Sequence, residues 1–196
     1  MKLLRWPLAV YFAAFAILAT TAAAQGLEPA PVAFDADMTI VSDGQTVSGH
    51  IWYDNGLERR DMQVNDRAMS VFVRPDQGLV FFLPDSVPVA MRMPLSPEFR
   101  YHNIGLLKAT ELEPIGRETI HGQASTKYLL TGTTLLDEPM EGNVWVTEDG
   151  IVMQLDGRAQ IQGAWTNAAF FLENVTREKP SPDTFELGPD IQVVDR

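Results

Sequence analysis

The sequence predicts a mainly β protein, with one large antiparallel sheet that curls into a barrel or half-barrel. Three observations predict it. Short segments in which apolar and polar residues alternate follow one another along most of the chain. Turns rich in Gly, Pro, Asn and Asp separate them. One weak helical pattern interrupts the series, too little to cover both faces of so many strands.

The elements follow in order. In "FDADMTIV", Phe34, Ala36, Met38 and Ile40 fall on one face, and Asp35, Asp37 and Thr39 on the other. "SDGQ" turns the chain into "TVSGHIWY", and "DNG" at residues 54–56 turns it into "LERRDMQV", a hairpin signal. Further strands are predicted over residues 68–74, 79–83, 87–93, 113–119, 124–131, 142–147, 151–158 and 168–176. Pro75, Gly78, Pro84, Pro88, Gly116, Gly122, Gly132, Pro139 and Gly150 fall in or near the breaks. A helix is predicted from "SPEF": Ser96 as N-cap, Pro97 at the first helical position, and Glu98 at the positive end of the helix dipole. Phe99, Asn103, Leu106 and Leu107 then lie near one face, able to plug the open side of a curled sheet, although Gly105 weakens the pattern. A short helical turn is also expected around residues 181–185.

Residues 1–24 read as a cleaved secretory signal peptide. Lys2 and Arg5 precede an apolar run ending near Ala19, and Ala22 and Ala24 precede the predicted cut at Gln25. The run is shorter than the roughly 20 residues a spanning helix needs, so no permanent membrane anchor is expected. The remainder, residues 25–196, suits one domain. The chain has no cysteine, which excludes a disulfide framework, thiol ligands, a thiol nucleophile and a lipidated cysteine. Its net charge of −11 becomes more negative once the leader is removed. Such a surface repels nucleic acid and anionic membranes, and attracts a basic periplasmic or envelope protein.

Catalytic patterns are sparse. There is no Gly-x-Ser-x-Gly elbow and no Ser-x-x-Lys set. His50, His102 and His121 are scattered and lack metal-ligand spacing, so neither a metal nor another cofactor is expected. Asp35 and Asp37 share the polar side of one strand, which reads as a solvated outer face, with Glu138 and Glu141 the other nearby carboxylates. "TEDG" lacks the rest of a calcium loop and reads as a hairpin turn between "VWV" and "IVMQL".

The apolar material is the more informative feature. Phenylalanines and pliable methionines are abundant, and methionine suits adaptable binding surfaces. A curled sheet with little filler leaves a cavity. Met38, Ile40, Ile51, Met62, Phe72, Phe81, Met91, Met93 and Phe171 are the candidate lining residues. Arg59 and Arg60 are neighbours and so point to opposite sides of a strand. They are candidates for the cavity rim or for a latch, Arg60 sharing a side with Met62 and Val64.

The order of blocks from "FDADMTIVSDGQTVSGHIWYDNGLERRDMQ" through "VRPDQGLVFFLPDSVPVAMRMPL", "IGRETIHGQASTKYLL" and "GNVWVTEDGIVMQLDG" to "FFLENVTREKPSPDTFEL" resembles the periplasmic outer-membrane lipoprotein carriers (LolA/LolB-like), nearest an uncharacterised branch. The resemblance covers nearly the whole exported chain. It implies an unclosed half-barrel of about eleven strands with a short helical lid over a cavity that accepts acyl chains. In the carriers an arginine-proline pair follows the strand that here carries Trp52, and its arginine helps latch the lid. Here those positions read "YDNG", so the latch is either absent or supplied differently, by Arg59 or Arg60. The leading expectation is a non-enzymatic periplasmic binding or carrier protein for a lipid, acyl chain, lipoprotein or other hydrophobic ligand. An acidic interaction scaffold with a filled core is the alternative, and a hydrolase using one of the histidines is a third reading.

Overall fold

The structure, a computed structural model, describes residues 29–42, 44–64, 67–95, 107–134, 138–161 and 163–195. The expected signal peptide and the helix expected from Ser96 lie outside the described residues, apart from Leu107, which opens a strand. The strands are β1 Phe34–Ser42, β2 Gln45–Asp54, β3 Leu57–Val64, β4 Arg67–Arg74, β5 Leu79–Pro84, β6 Val89–Pro94, β7 Leu107–Ile120, β8 Gln123–Thr134, β9 Pro139–Thr147, β10 Val152–Ile161, β11 Ala164–Thr176 and β12 Gln192–Asp195. They form a single sheet in the order β12-β6-β5-β4-β3-β2-β1-β11-β10-β9-β8-β7. Two antiparallel meanders, β1 to β6 and β7 to β11, meet at an antiparallel seam between β1 and β11. The sheet ends at β7 and β12 without closing, so the fold is the expected mainly β half-barrel.

All eleven expected strands are present. The twelfth, β12, adds in parallel to the edge of β6, pairing Gln192 with Val89 and Asp195 with Arg92. β7 begins at Leu107 rather than near residue 113, and β6 begins after Pro88, because the chain turns at Pro84 with the N–H of Val87 donating to the Pro84 carbonyl at 3.3 Å. The Asn55-Gly56 turn has φ of 49° and 88°, the left-handed pair that a two-residue hairpin of this twist requires.

Cross-strand partners share a face, which sorts the side chains into two sets. One row runs Met69, Met62, Gly49, Met38 and Leu172, and a neighbouring row runs Phe82, Val71, Arg60, Ile51 and Ala36. The sheet curls toward this face. Gly142 and Gly157 lie opposite each other on it, and a Cβ on either would come within 2.6 Å of backbone on the other strand. A Cβ on Gly49 would collide with the Asp61 carbonyl. Strands pinched this closely admit only hydrogen between them, and glycine is the residue that permits the bend.

The outer face of β4 to β6 is covered by the chain's own C-terminal segment. Phe72, Phe81 and Ala90 form a buried cluster there with Leu187 and Ile191 packed on it. The expected turn is present as a 3-10 helix, Pro182–Phe185, with Phe185 buried. Arg74 Nη1 donates to the Phe185 carbonyl at 3.2 Å and also pairs with Glu186 at 3.0 Å.

Candidate functional site

The inner face divides into two halves of different density. Across β1, β2 and β8 to β11 it is filled: Phe34, Met38, Ile51, Leu130, Val144, Phe170 and Leu172 join one cluster that water hardly reaches. Tyr53 closes one end of it, its hydroxyl donating to the Ala30 carbonyl at 2.9 Å and its ring 5.2 Å from that of Phe34. Across β3 to β6 the buried apolar floor among the described residues is Val71, Val73 and Val80. Met62, Met69, Phe82 and Met93 pack on this floor and stay half-buried, as does Met91 opposite Phe82. Half-exposed methionines cost little to repack and offer polarizable, flexible contact to an apolar ligand.

At the hairpin end of this second half lies a cavity of about 1170 Å³, lined by Val64, Arg67, Met69, Pro84, Asp85 and Val87 among others. Small-molecule sites typically occupy roughly 300–1,000 Å³, so the space is ample. Val87 remains 46% exposed beside it.

An ion pair sits between the two halves. Glu58 and Arg60 are two apart on β3 and therefore share the inner face, and their side chains pair there with 2% and 12% exposure. The alternation in "LERR" contained this signal, but sequence reasoning singled out only the arginines. The Glu58 charge also contributes to raising the Tyr53 hydroxyl above its ordinary pKa, after the larger effect of burial. Breaking a pair this deep by removing one partner costs about 3–5 kcal/mol.

The structure separates the expected lining residues. Met38, Ile40, Ile51, Met62, Met91 and Met93 share the inner face, with Met38 and Ile51 fully packed in the filled half. Phe72, Phe81 and Phe171 lie on the outer face and cannot share a cavity with them, a correction to the expected set. Phe72 and Phe81 serve the cluster under the C-terminal segment, and Phe171 stacks with His121 at 6.0 Å. Met69, Phe82 and Glu58 join the inner set in their place.

Arg59 is also on the outer face. It lies 5.2 Å from the Trp52 ring centre and 5.3 Å from that of Phe72, grips Asp61 at 2.7 Å, and reaches the Thr184 carbonyl at 3.5 Å. Its contacts fasten the C-terminal segment and not the mouth of the inner face. Arg60 is inward, held by Glu58 and not at the rim.

The outer face carries a polar cluster at the seam. His50 Nδ1 lies 2.8 Å from Asp37 and Nε2 lies 3.4 Å from Asp35, with the ring 4.3 Å from Trp52. Asn174, at φ 52° in the bulge of β11, donates to Asp37 at 2.8 Å. These bonds from Asn174 and then His50 hold the Asp37 carboxyl below its usual pKa. Both ring nitrogens of His50 face carboxylates. His121 pairs with Glu173 at 3.2 Å, and His102 lies outside the described residues. No group of metal-ligating side chains converges among the described residues. The "TEDG" segment is the expected turn, with Ile151 N–H donating to Thr147 Oγ1 at 2.9 Å and Arg177 gripping Asp149 at 2.5 Å.

No family model and no curated protein sequence matches the chain. Solved structures do. An uncharacterized conserved protein from Thermus thermophilus superposes with a TM-score of 0.58 at 11% identity, over 85% of this chain and 91% of that one. MucB superposes with a TM-score of 0.51 at 14% identity, over 84% of this chain, which spans 60% of MucB. A putative outer membrane lipoprotein-sorting protein domain from Vibrio parahaemolyticus matches at a TM-score of 0.38 and 7% identity, over 79% of this chain and 89% of that one. At such identities the likeness to the first two is one of fold alone. No helix among the described residues is long and apolar enough to cross a membrane.

Proposed function

We propose that the chain is an exported, non-catalytic binding protein that holds a lipid or acyl chain against the methionine-rich half of its inner face, in the periplasm. One observation carries this reading. On the inner face, Met62, Met69, Phe82, Met91 and Met93 stay half-buried around a thin valine floor beside an open cavity, while the other half is packed shut. A protein that needed only a core would gain by filling both halves alike. The leader-like segment and the absence of a lipidation cysteine support export as a soluble carrier.

The test is mass spectrometry of the mature protein purified gently from the periplasm of its own host, under native and denaturing conditions. The expected result is a stoichiometric added mass that is lost on denaturation and extracts as lipid. Met62→Glu and Met91→Glu should each reduce the loaded fraction at least about tenfold, since a charge in apolar surroundings is costly. Trp165→Ala, on the outer face, should leave it unchanged. A bare polypeptide mass that persists after incubation with lipids overturns the reading.

A further inference from the structure

We infer that the mouth of the methionine half reads a zwitterionic head group, with Arg67 taking a phosphate and Asp85 an ammonium, as in a phosphoethanolamine lipid. This rests on the binding reading above and names the class of ligand.

The first observation is charge accounting. The chain carries an excess of acid, and among the described residues Arg59, Arg60, Arg74, Arg92, Arg158 and Arg177 each grip a carboxylate. Arg67 and Arg117 have no such partner there, and Arg67 is the one that borders the cavity of the methionine half. An unpaired guanidinium on a protein with abundant carboxylates is available for an anion from outside, and its planar fork suits phosphate.

The second observation is position. Arg67 lies opposite Val64 at the end of β4, on the same inner face as Met62 and Met69. Asp85 is held at the same end of the sheet, its backbone N–H donating to the Ala68 carbonyl at 3.1 Å. Both line one cavity, and they form no ion pair with each other although each is exposed. A cation and an anion at one rim, without ion-pair partners among the described residues, match a ligand that carries both charges.

The third observation is what lies behind them. Met69, Pro84 and Val87 line the same cavity, and the row continues through Met62 toward the half-filled interior. Charges at the rim and pliable apolar side chains within are the order of groups in an amphiphile, head outward and chain inward.

The experiment measures binding to the full mature chain by isothermal titration calorimetry. The probes are dihexanoyl-phosphatidylethanolamine, dihexanoyl-phosphatidylglycerol of the same chain length, and chain-free glycerophosphoethanolamine. The wild type is expected to bind the ethanolamine lipid about tenfold more tightly than the glycerol lipid. Asp85→Asn should abolish that preference, and Arg67→Gln should weaken both lipids; both positions are exposed, so the fold is retained and is checked by circular dichroism. Equal affinity for the two lipids, unchanged in both variants, overturns the head-group assignment while leaving the binding reading intact. Failure to bind either lipid overturns both. Equally tight binding of the chain-free head group overturns the amphiphile and leaves a phosphate-ammonium site alone.

Discussion

The two halves of the inner face are built from the same kind of strand and end in opposite states. In the half made by β1, β2 and β8 to β11, these strands contribute inward residues to one closed cluster, and Gly142 and Gly157 let β9 and β10 approach closely within it. In the half made by β3 to β6 the side chains are as apolar, yet methionines replace rigid branched residues at the surface and remain half-buried. Apolar content therefore does not set how densely a face packs, since Met38, Met140 and Met153 are buried in the filled half; how closely the strands approach does.

Substitutions that probe each half and the boundary between them test this contrast, and the boundary should show the largest effect. Glu58→Leu leaves Arg60 buried without its partner and should cost about 3–5 kcal/mol in urea unfolding. The double variant with Arg60→Met should recover most of that loss, and a double variant as unstable as the single one would show that the pair is not what holds this boundary. Next comes density: Leu130→Ala in the filled half should cost about 2–5 kcal/mol, whereas Met91→Ala in the open half should cost about 1 kcal/mol or less. Equal losses at the two sites would erase the distinction between the halves.

The smallest effect is one of pH, on the rim of the filled half. Arg177, and to a lesser degree Thr147, hold the Asp149 carboxyl below its ordinary value of 3.8 in the folded chain. The unfolded chain then binds more protons, so this contribution is present above about pH 4 and is lost as pH falls through the lower folded value. Asp149→Asn should flatten the acid limb of a stability-versus-pH curve below about pH 4 and leave its neutral plateau slightly lower. An unchanged acid limb would show that the Arg177 contact contributes nothing in solution.

Much of the sheet was legible because its strands obey simple alternation. In β1 the buried Phe34, Ala36 and Met38 alternate with Asp35 and Asp37, as the pattern required. The Asn55-Gly56 turn was legible because its backbone demands left-handed residues. Faces were illegible in β4, where Val71, Phe72 and Val73 are apolar in succession. Both faces are covered there, one by the curl and the other by the C-terminal segment, so alternation is lost and Phe72 and Phe81 could not be placed. β12 escaped notice because four exposed residues in a parallel edge carry no periodic signal. The Glu58–Arg60 pair was written two residues apart in the sequence, but its burial depended on the bend.

The seam between β1 and β11 has a consequence for the order in which the molecule forms. Within each meander a strand finds its partner next to it in the chain, at small entropic cost. The seam instead joins groups such as Asp37 and Asn174, 137 residues apart, and it is also where Met38 meets Leu172 to complete the filled half. Two locally assembled ribbons thus have to find one another late and along a single edge, and folding speed is governed by that encounter more than by any turn. A chain synthesised from its N-terminus carries the first six strands as an open ribbon until residue 176 has followed.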